Sequence, residues 1–149
     1  MQKISLTLVL CLMGFLSLKA QTPYNWTFSA RKISNGTYEI HCIADVNAPW
    51  HTYSQFTPAG GPVPTKFSFA KNPLYRLNGP VTENGKIVTK HEAVFGVDVK
   101  YFEGKVDFVQ KVNLKGTAKT NFSGSVEFMV CNDTECLPPT NQKFTVALN

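Results

Sequence analysis

Cys131 and Cys136 are the residues best placed for chemistry: they bracket the polar run Asn132-Asp133-Thr134-Glu135, directly after the alternating segment Val126–Val130. A disulfide between them would close a ring of six residues. The chain-entropy model gives so small a ring only about 2 kcal/mol of stabilisation, and it would tie no distant elements together. As a staple the pair is poorly placed. As a redox pair it is well placed, because exchange needs an accessible sulfur and a ring that opens without unfolding the chain. A disulfide that merely tidies the loop stays open as the alternative on spacing alone. Asp133 and Glu135 lie beside both sulfurs, and nearby carboxylates raise a thiol pKa rather than lower it. They fit a solvated loop better than a catalytic role.

The remaining cysteines divide by position. Cys11 lies in the N-terminal apolar run, and Cys42 falls on the apolar side of an alternating segment, where a small buried hydrophobe is expected. An odd number of cysteines after residue 20 then suggests one pair and one left over. His41, His51 and His91 are the histidines available to a metal. The cysteines are not at the usual metal-ligand spacing and no histidine is near them in sequence, so no metal site is expected. G-x-S-x-G, H-E-x-x-H and P-loop patterns do not occur, and Gly60-Gly61 reads only as a loop. Asn25, Asn35, Asn121 and Asn132 head sequon triplets that chance explains well enough in a chain rich in turns.

These residues need a scaffold. The chain has 149 residues, of which 43% are hydrophobic and only 17% charged, which fits one folded domain and not a disordered segment. Residues 1–20 read separately. Lys3 gives a positive start, Ile4 to Leu18 is almost wholly apolar, and Leu18-Lys19-Ala20 leads into Gln21. This is the layout of a secretory signal peptide cleaved after Ala20; an uncleaved anchor would want roughly 20 apolar residues. Without Lys3 and Lys19, the net charge of +5 falls by two to +3. A mildly basic chain with no Lys/Arg run does not imply nucleic acid, and no second apolar stretch suggests membrane insertion after cleavage. No cysteine stands at the expected cleavage point to carry a lipid.

Period-2 alternation runs through residues 21–149 and no helical stripe competes with it. In Thr37–Val46, Tyr38, Ile40, Cys42, Ala44 and Val46 share a face opposite Glu39, His41 and Asp45. Lys105–Leu114 sets Val106, Phe108, Val112 and Leu114 against Lys105, Asp107 and Lys111, and Phe144, Val146 and Leu148 repeat the pattern. Shorter strands are expected over Asn25–Ile33, Trp50–Gln55, Lys66–Ala70, Lys86–Lys90 and Val97–Phe102. Asn35-Gly36, Asn84-Gly85 and Glu103-Gly104 suit hairpin turns. Pro58–Pro62 reads as a loop and Asn78-Gly79-Pro80 as a break. Many short strands at this spacing predict an all-β antiparallel sandwich or barrel.

One segment is more specific. Val126–Pro139, with its two cysteines followed by Leu137-Pro138-Pro139, resembles the N-terminal periplasmic domain of the thiol:disulfide interchange protein DsbD. Lys90-His91-Glu92-Ala93-Val94-Phe95-Gly96 is similar to that family's cap loop, and Trp50-His51-Thr52-Tyr53-Ser54 to its aromatic strand beside the active site. The three matches keep the family's order. The resemblance implies an immunoglobulin-like sandwich that relays reducing equivalents in the periplasm without a cofactor. It assigns Cys136 to exchange with partner thiols, Cys131 to resolution, Phe95 to the cap and Tyr53 to the lining. From the residues alone, Phe95 reads instead as core filling.

Two departures matter. The loop between the cysteines is one residue shorter than in the best-known member, and the acids that precede the cap phenylalanine there are Ala93 and Val94 here. A proton-transfer role for those acids does not carry over, and Glu92 is too displaced to inherit it. The resemblance implies thioredoxin-like periplasmic proteins as partners. The chain carries neither the membrane nor the thioredoxin-like domain of the full-length protein, so its electron donor would be a separate membrane protein. The competing expectation is a secreted binding or assembly module on the same architecture, its disulfide structural.

Overall fold

A computed structural model of the chain describes residues 22–93 and 95–149. The expected signal peptide, Cys11 included, lies outside the described residues. The strands in chain order are β1 (Tyr24–Ser34), β2 (Thr37–Tyr53), β3 (Lys66–Phe69), β4 (Tyr75–Asn84), β5 (Ile87–Glu92), β6 (Val97–Leu114), β7 (Thr120–Phe128), β8 (Val130–Cys131) and β9 (Thr140–Leu148). One sheet runs β1-β2-β6-β4, with β5 also on β6 and β8 also on β2; the other runs β3-β7-β9. All pairings are antiparallel. The two sheets form an open, immunoglobulin-like sandwich, as expected. No helix among the described residues is long and apolar enough to cross a membrane.

The alternation in β2 places Tyr38, Ile40, Cys42, Ala44 and Val46 in the interior. The first four meet Val106, Phe108 and Val112 of β6 and, across the sandwich, Phe122 of β7 with Phe144 and Leu148 of β9, while Val46 packs with Val126, Phe128 and Val130. Aromatic rings fill the gap between sheets: Phe28 stacks on Phe144 with centroids 4.4 Å apart, and Trp26 lies 5.9 Å from Phe108. Burial of this apolar area drives the two sheets together. The opposite, outer face of β2 and β6 begins polar, with Glu39, His41 and Asp107.

Three turn expectations divide. Asn35-Gly36 does join β1 to β2, with Gly36 at φ +76°. Glu103-Gly104 is no hairpin. The expected strands Val97–Phe102 and Lys105–Leu114 are one continuous β6, because both halves pair along β2. Gly104 sits within it at φ +71°, opposite Val46, where the next pair is His51 with Glu103. Asn47, Ala48, Pro49 and Trp50 therefore bulge out of β2, which continues through the expected Trp50–Gln55 strand as far as Tyr53.

Asn84-Gly85 is not a hairpin turn either, since β4 and β5 follow one another along the same edge of β6. Gly85 is needed there for space: a Cβ would stand 3.1 Å from Phe102 and 3.2 Å from Val106. β4 has no counterpart among the strands that alternation marks. It is mostly exposed, so it has no apolar alternation to read. Its Asn78-Gly79-Pro80 break appears as a register shift between Asn78 and Thr82 within the strand.

Candidate redox site

Past the bulge, β2 presents His51 and Tyr53 on the outer face, where Tyr53 pairs with Tyr101 and His51 with Glu103 of β6. On the other side of β2, the two-residue strand β8 sets Cys131 opposite His51 and Val130 opposite Thr52. Thr52 is fully buried, and its hydroxyl donates to the Met129 carbonyl at 3.1 Å, which holds β8 in place. Tyr53, Val99, Tyr101 and Cys131 form a buried cluster, with Val88, Val97 and Met129 against it. The loop after β2 covers this end of the face. Its Ser54 and Gln55 donate to the Glu83 carboxylate at 2.8 and 2.7 Å, and the Thr57 hydroxyl donates to the Lys100 carbonyl at 2.9 Å.

Cys131 and Cys136 are disulfide-bonded, with Cα atoms 4.0 Å apart. The intervening loop organises itself. The Asn132 side-chain oxygen accepts hydrogen bonds from Thr134 N–H, Glu135 N–H and the Thr134 hydroxyl at 2.8–2.9 Å. Asn132 N–H donates to the Glu135 carbonyl, and Leu137 N–H to the Val130 carbonyl, each at 2.9 Å. Asn132 thus acts as an Asx-turn residue. The two half-cystines differ sharply in setting: Cys131 is 2% exposed, while Cys136 lies on the surface.

Polar groups gather around His51, the residue paired with Cys131. His51 Nε2 lies 3.1 Å from the Tyr53 hydroxyl, and its ring tilts over Tyr101 with centroids 4.4 Å apart. Burial holds the His51 pKa below its ordinary value, against the opposing pull of Asp133 and Glu103. Burial also pushes the Tyr53 phenol up to about 12, helped by Glu92 and Tyr101. Lys90 and Glu92, on β5, form an ion pair at 3.0 Å. A cleft of about 320 Å³ opens beside His51, walled by Trp50, Tyr101, Glu103 and Asp133 above Val46 and Pro49.

Phe95 is 44% exposed in the turn between β5 and β6. It does not fill the core, which corrects the expectation from the residues alone. The turn is closed by Phe95 N–H and Gly96 N–H, both donating to the Glu92 carbonyl at 3.0 and 2.8 Å, with Gly96 at φ +66°. Val94 lies outside the described residues. His41 pairs with Asp107 at 2.7 Å and His91 with Asp98 at 2.8 Å. Cys42 is buried and unpaired in the core, as expected. Sequence reasoning missed Tyr101 and Glu103; the resemblance set the His51 segment beside the site, and the structure adds that His51 stands directly opposite Cys131.

The family described as thiol:disulfide interchange protein DsbD, N-terminal, matches residues 19–148. The chain belongs to that family. Two solved structures share the fold of this DsbD N-terminal domain. The N-terminal periplasmic domain of ScsB from Proteus mirabilis aligns with a TM-score of 0.58 at 16% identity, over 89% of this chain and 49% of that one. The chain thus spans about half the length of that relative. The Neisseria meningitidis DsbD N-terminal domain in the reduced form aligns with a TM-score of 0.53 at 10% identity, over 83% of this chain and 86% of that one. No curated protein matches the chain. The expected periplasmic location agrees with the family and with the ScsB relative, itself a periplasmic domain.

Proposed function

We propose that this DsbD N-terminal domain is a thiol–disulfide exchange module that passes reducing equivalents to periplasmic partners through Cys136 and Cys131. The single observation that supports it most is the unequal exposure of the two sulfurs: one faces solvent and the other lies under aromatic side chains. An exposed sulfur can meet a partner's disulfide, and a buried one next to it can attack only from within.

In the reduced domain, the Cys136 thiolate attacks a partner disulfide. A Cys136–partner bond forms, and one partner sulfur leaves as a thiolate and takes a proton. Cys131 then attacks the Cys136 sulfur, the Cys131–Cys136 bond closes, and the second partner sulfur departs. Two electrons pass to the partner, whose two thiolates take their protons from water, and a separate membrane-bound dithiol donor restores the domain. Thioredoxin-like proteins, whose disulfides are accessible, are the fitting acceptors. Tyr53 lines the buried sulfur, and Phe95 acts as a cap that shields the pair until a partner docks.

Equilibration with dithiothreitol and glutathione buffers tests the assignment. A reduction potential above about −300 mV, in the range of known exchange proteins, is expected. A lower value would make the disulfide a structural one and the domain a binding module.

A further inference from the structure

His51 and Cys131 are directly opposed in the β2–β8 pairing. Opposed side chains of an antiparallel pair leave the same face with Cβ atoms about 4.5–5.5 Å apart. Cys131 is buried among Tyr53, Val99 and Tyr101. The His51 ring packs on two of the same residues, tilted over Tyr101 and edge-on to Tyr53 at 5.3 Å. It also lines the open cleft. The imidazole therefore stands between the buried sulfur and solvent. We propose that His51 is the proton acceptor for Cys131 in the resolving step, an inference that rests on the exchange mechanism above.

The need for such a group follows from the surroundings. Once the disulfide opens, Cys131 is a thiol in an apolar pocket, where burial opposes its ionisation. Asp133 and Glu135, in the adjoining loop, oppose it further. Cys136, being exposed, can ionise in water. The groups facing His51 come from every element packed on it: Tyr53 of β2, Lys90 and Glu92 of β5, Tyr101 and Glu103 of β6, and Asp133 of the cysteine loop. Burial outweighs the carboxylates and lowers the His51 pKa, which favours the neutral imidazole. In the tautomer whose Nε2–H donates to the Tyr53 hydroxyl, Nδ1 carries the lone pair that can take a proton. As the Cys131–Cys136 bond forms, the Cys131 proton passes to His51 Nδ1. The Cys136–partner bond breaks, and its electron pair leaves on the partner sulfur. His51 then returns its proton to solvent through the cleft.

Stopped-flow reaction of the reduced domain with 5,5′-dithiobis(2-nitrobenzoate) separates the steps, since each releases one coloured thiolate. The first phase is attack by Cys136 and the second is resolution by Cys131; buried Cys42 stays silent while the domain is folded. His51→Gln and His51→Phe should leave the first phase unchanged and slow the second about 10²-fold, as loss of a general base does. His51→Phe keeps an aromatic ring over Tyr101, so slowing in both variants separates proton transfer from packing, and added imidazole should restore the rate. The wild-type second phase should fall at acid pH as His51 protonates, whereas in His51→Gln it should climb with thiolate fraction over the whole range. Two equivalents released with an unchanged second phase in both variants would overturn the role of His51 alone. Release of only one equivalent by the wild type would overturn the exchange mechanism with it. If neither variant folds, a wild-type second phase lacking the imidazole limb of the pH profile would overturn the role.

Discussion

Cys131 and Cys136 share one disulfide but not one environment, the first being 2% exposed and the second on the surface. The difference arises because β8 pins Cys131 against β2, beneath Tyr53 and Tyr101, while the Asn132 turn carries the chain outward to Cys136. Two chemically identical groups thereby acquire different environments.

That inequality predicts the behaviour of single-cysteine variants. Reduced Cys131→Ser should trap a stable mixed disulfide through Cys136, visible on non-reducing gels after mixing with a periplasmic extract. Cys136→Ser should trap little, because the remaining thiol is covered. Equal trapping by both variants would contradict the assignment.

Phe95 supplies a second expectation. A core phenylalanine cut to alanine costs about 3–5 kcal/mol. With Phe95 44% exposed in a turn, Phe95→Ala should leave the urea midpoint nearly unchanged. If the ring caps the disulfide, glutathione should reduce the Cys131–Cys136 bond faster in the variant than in the wild type. An unchanged rate would remove the cap role.

Cys42 should be inert in the folded domain. Burial pushes its thiol from 9.0 up to about 12, with Asp107 adding to the effect. Iodoacetamide at pH 8 should label it only after unfolding. The folded state holds this proton more tightly than the unfolded one. The stabilisation is therefore complete below about pH 9 and is lost as pH rises toward about 12. Urea titrations across that window should show a shallower loss of stability in Cys42→Ala.

Gly124 tests the smaller sheet. A Cβ there would lie 2.8 Å from the Ser68 carbonyl oxygen and 2.9 Å from Phe69. Both are on β3, which pairs with β7 at this point. Gly124→Ala should cost about 1–3 kcal/mol, the usual range for overpacking, read from the urea midpoint. A neutral substitution would show that β3 can shift without loss.

The sequence by itself determined the fold class and the cysteine pair. Where one face of a strand is buried and the other solvated, as in Thr37–Val46, the requirement appears directly as alternating side chains. Two cysteines five positions apart are likewise a local fact, and the flanking residues carried the family resemblance. Tertiary structure decided what depends on pairing between distant segments. β4 is held by its bonds to β6 and buries little, so its residues carry no pattern. Glu103-Gly104 became the middle of a strand because β2 supplied partners on both sides of it. Phe95 could have filled a core or topped a turn, and only its surroundings settled which. The opposition of His51 to Cys131, and the burial that makes one sulfur internal and the other external, exist only once β8 has docked on β2. Sequence periodicity records which way a side chain points from its own strand; it holds no information about which strand lies alongside.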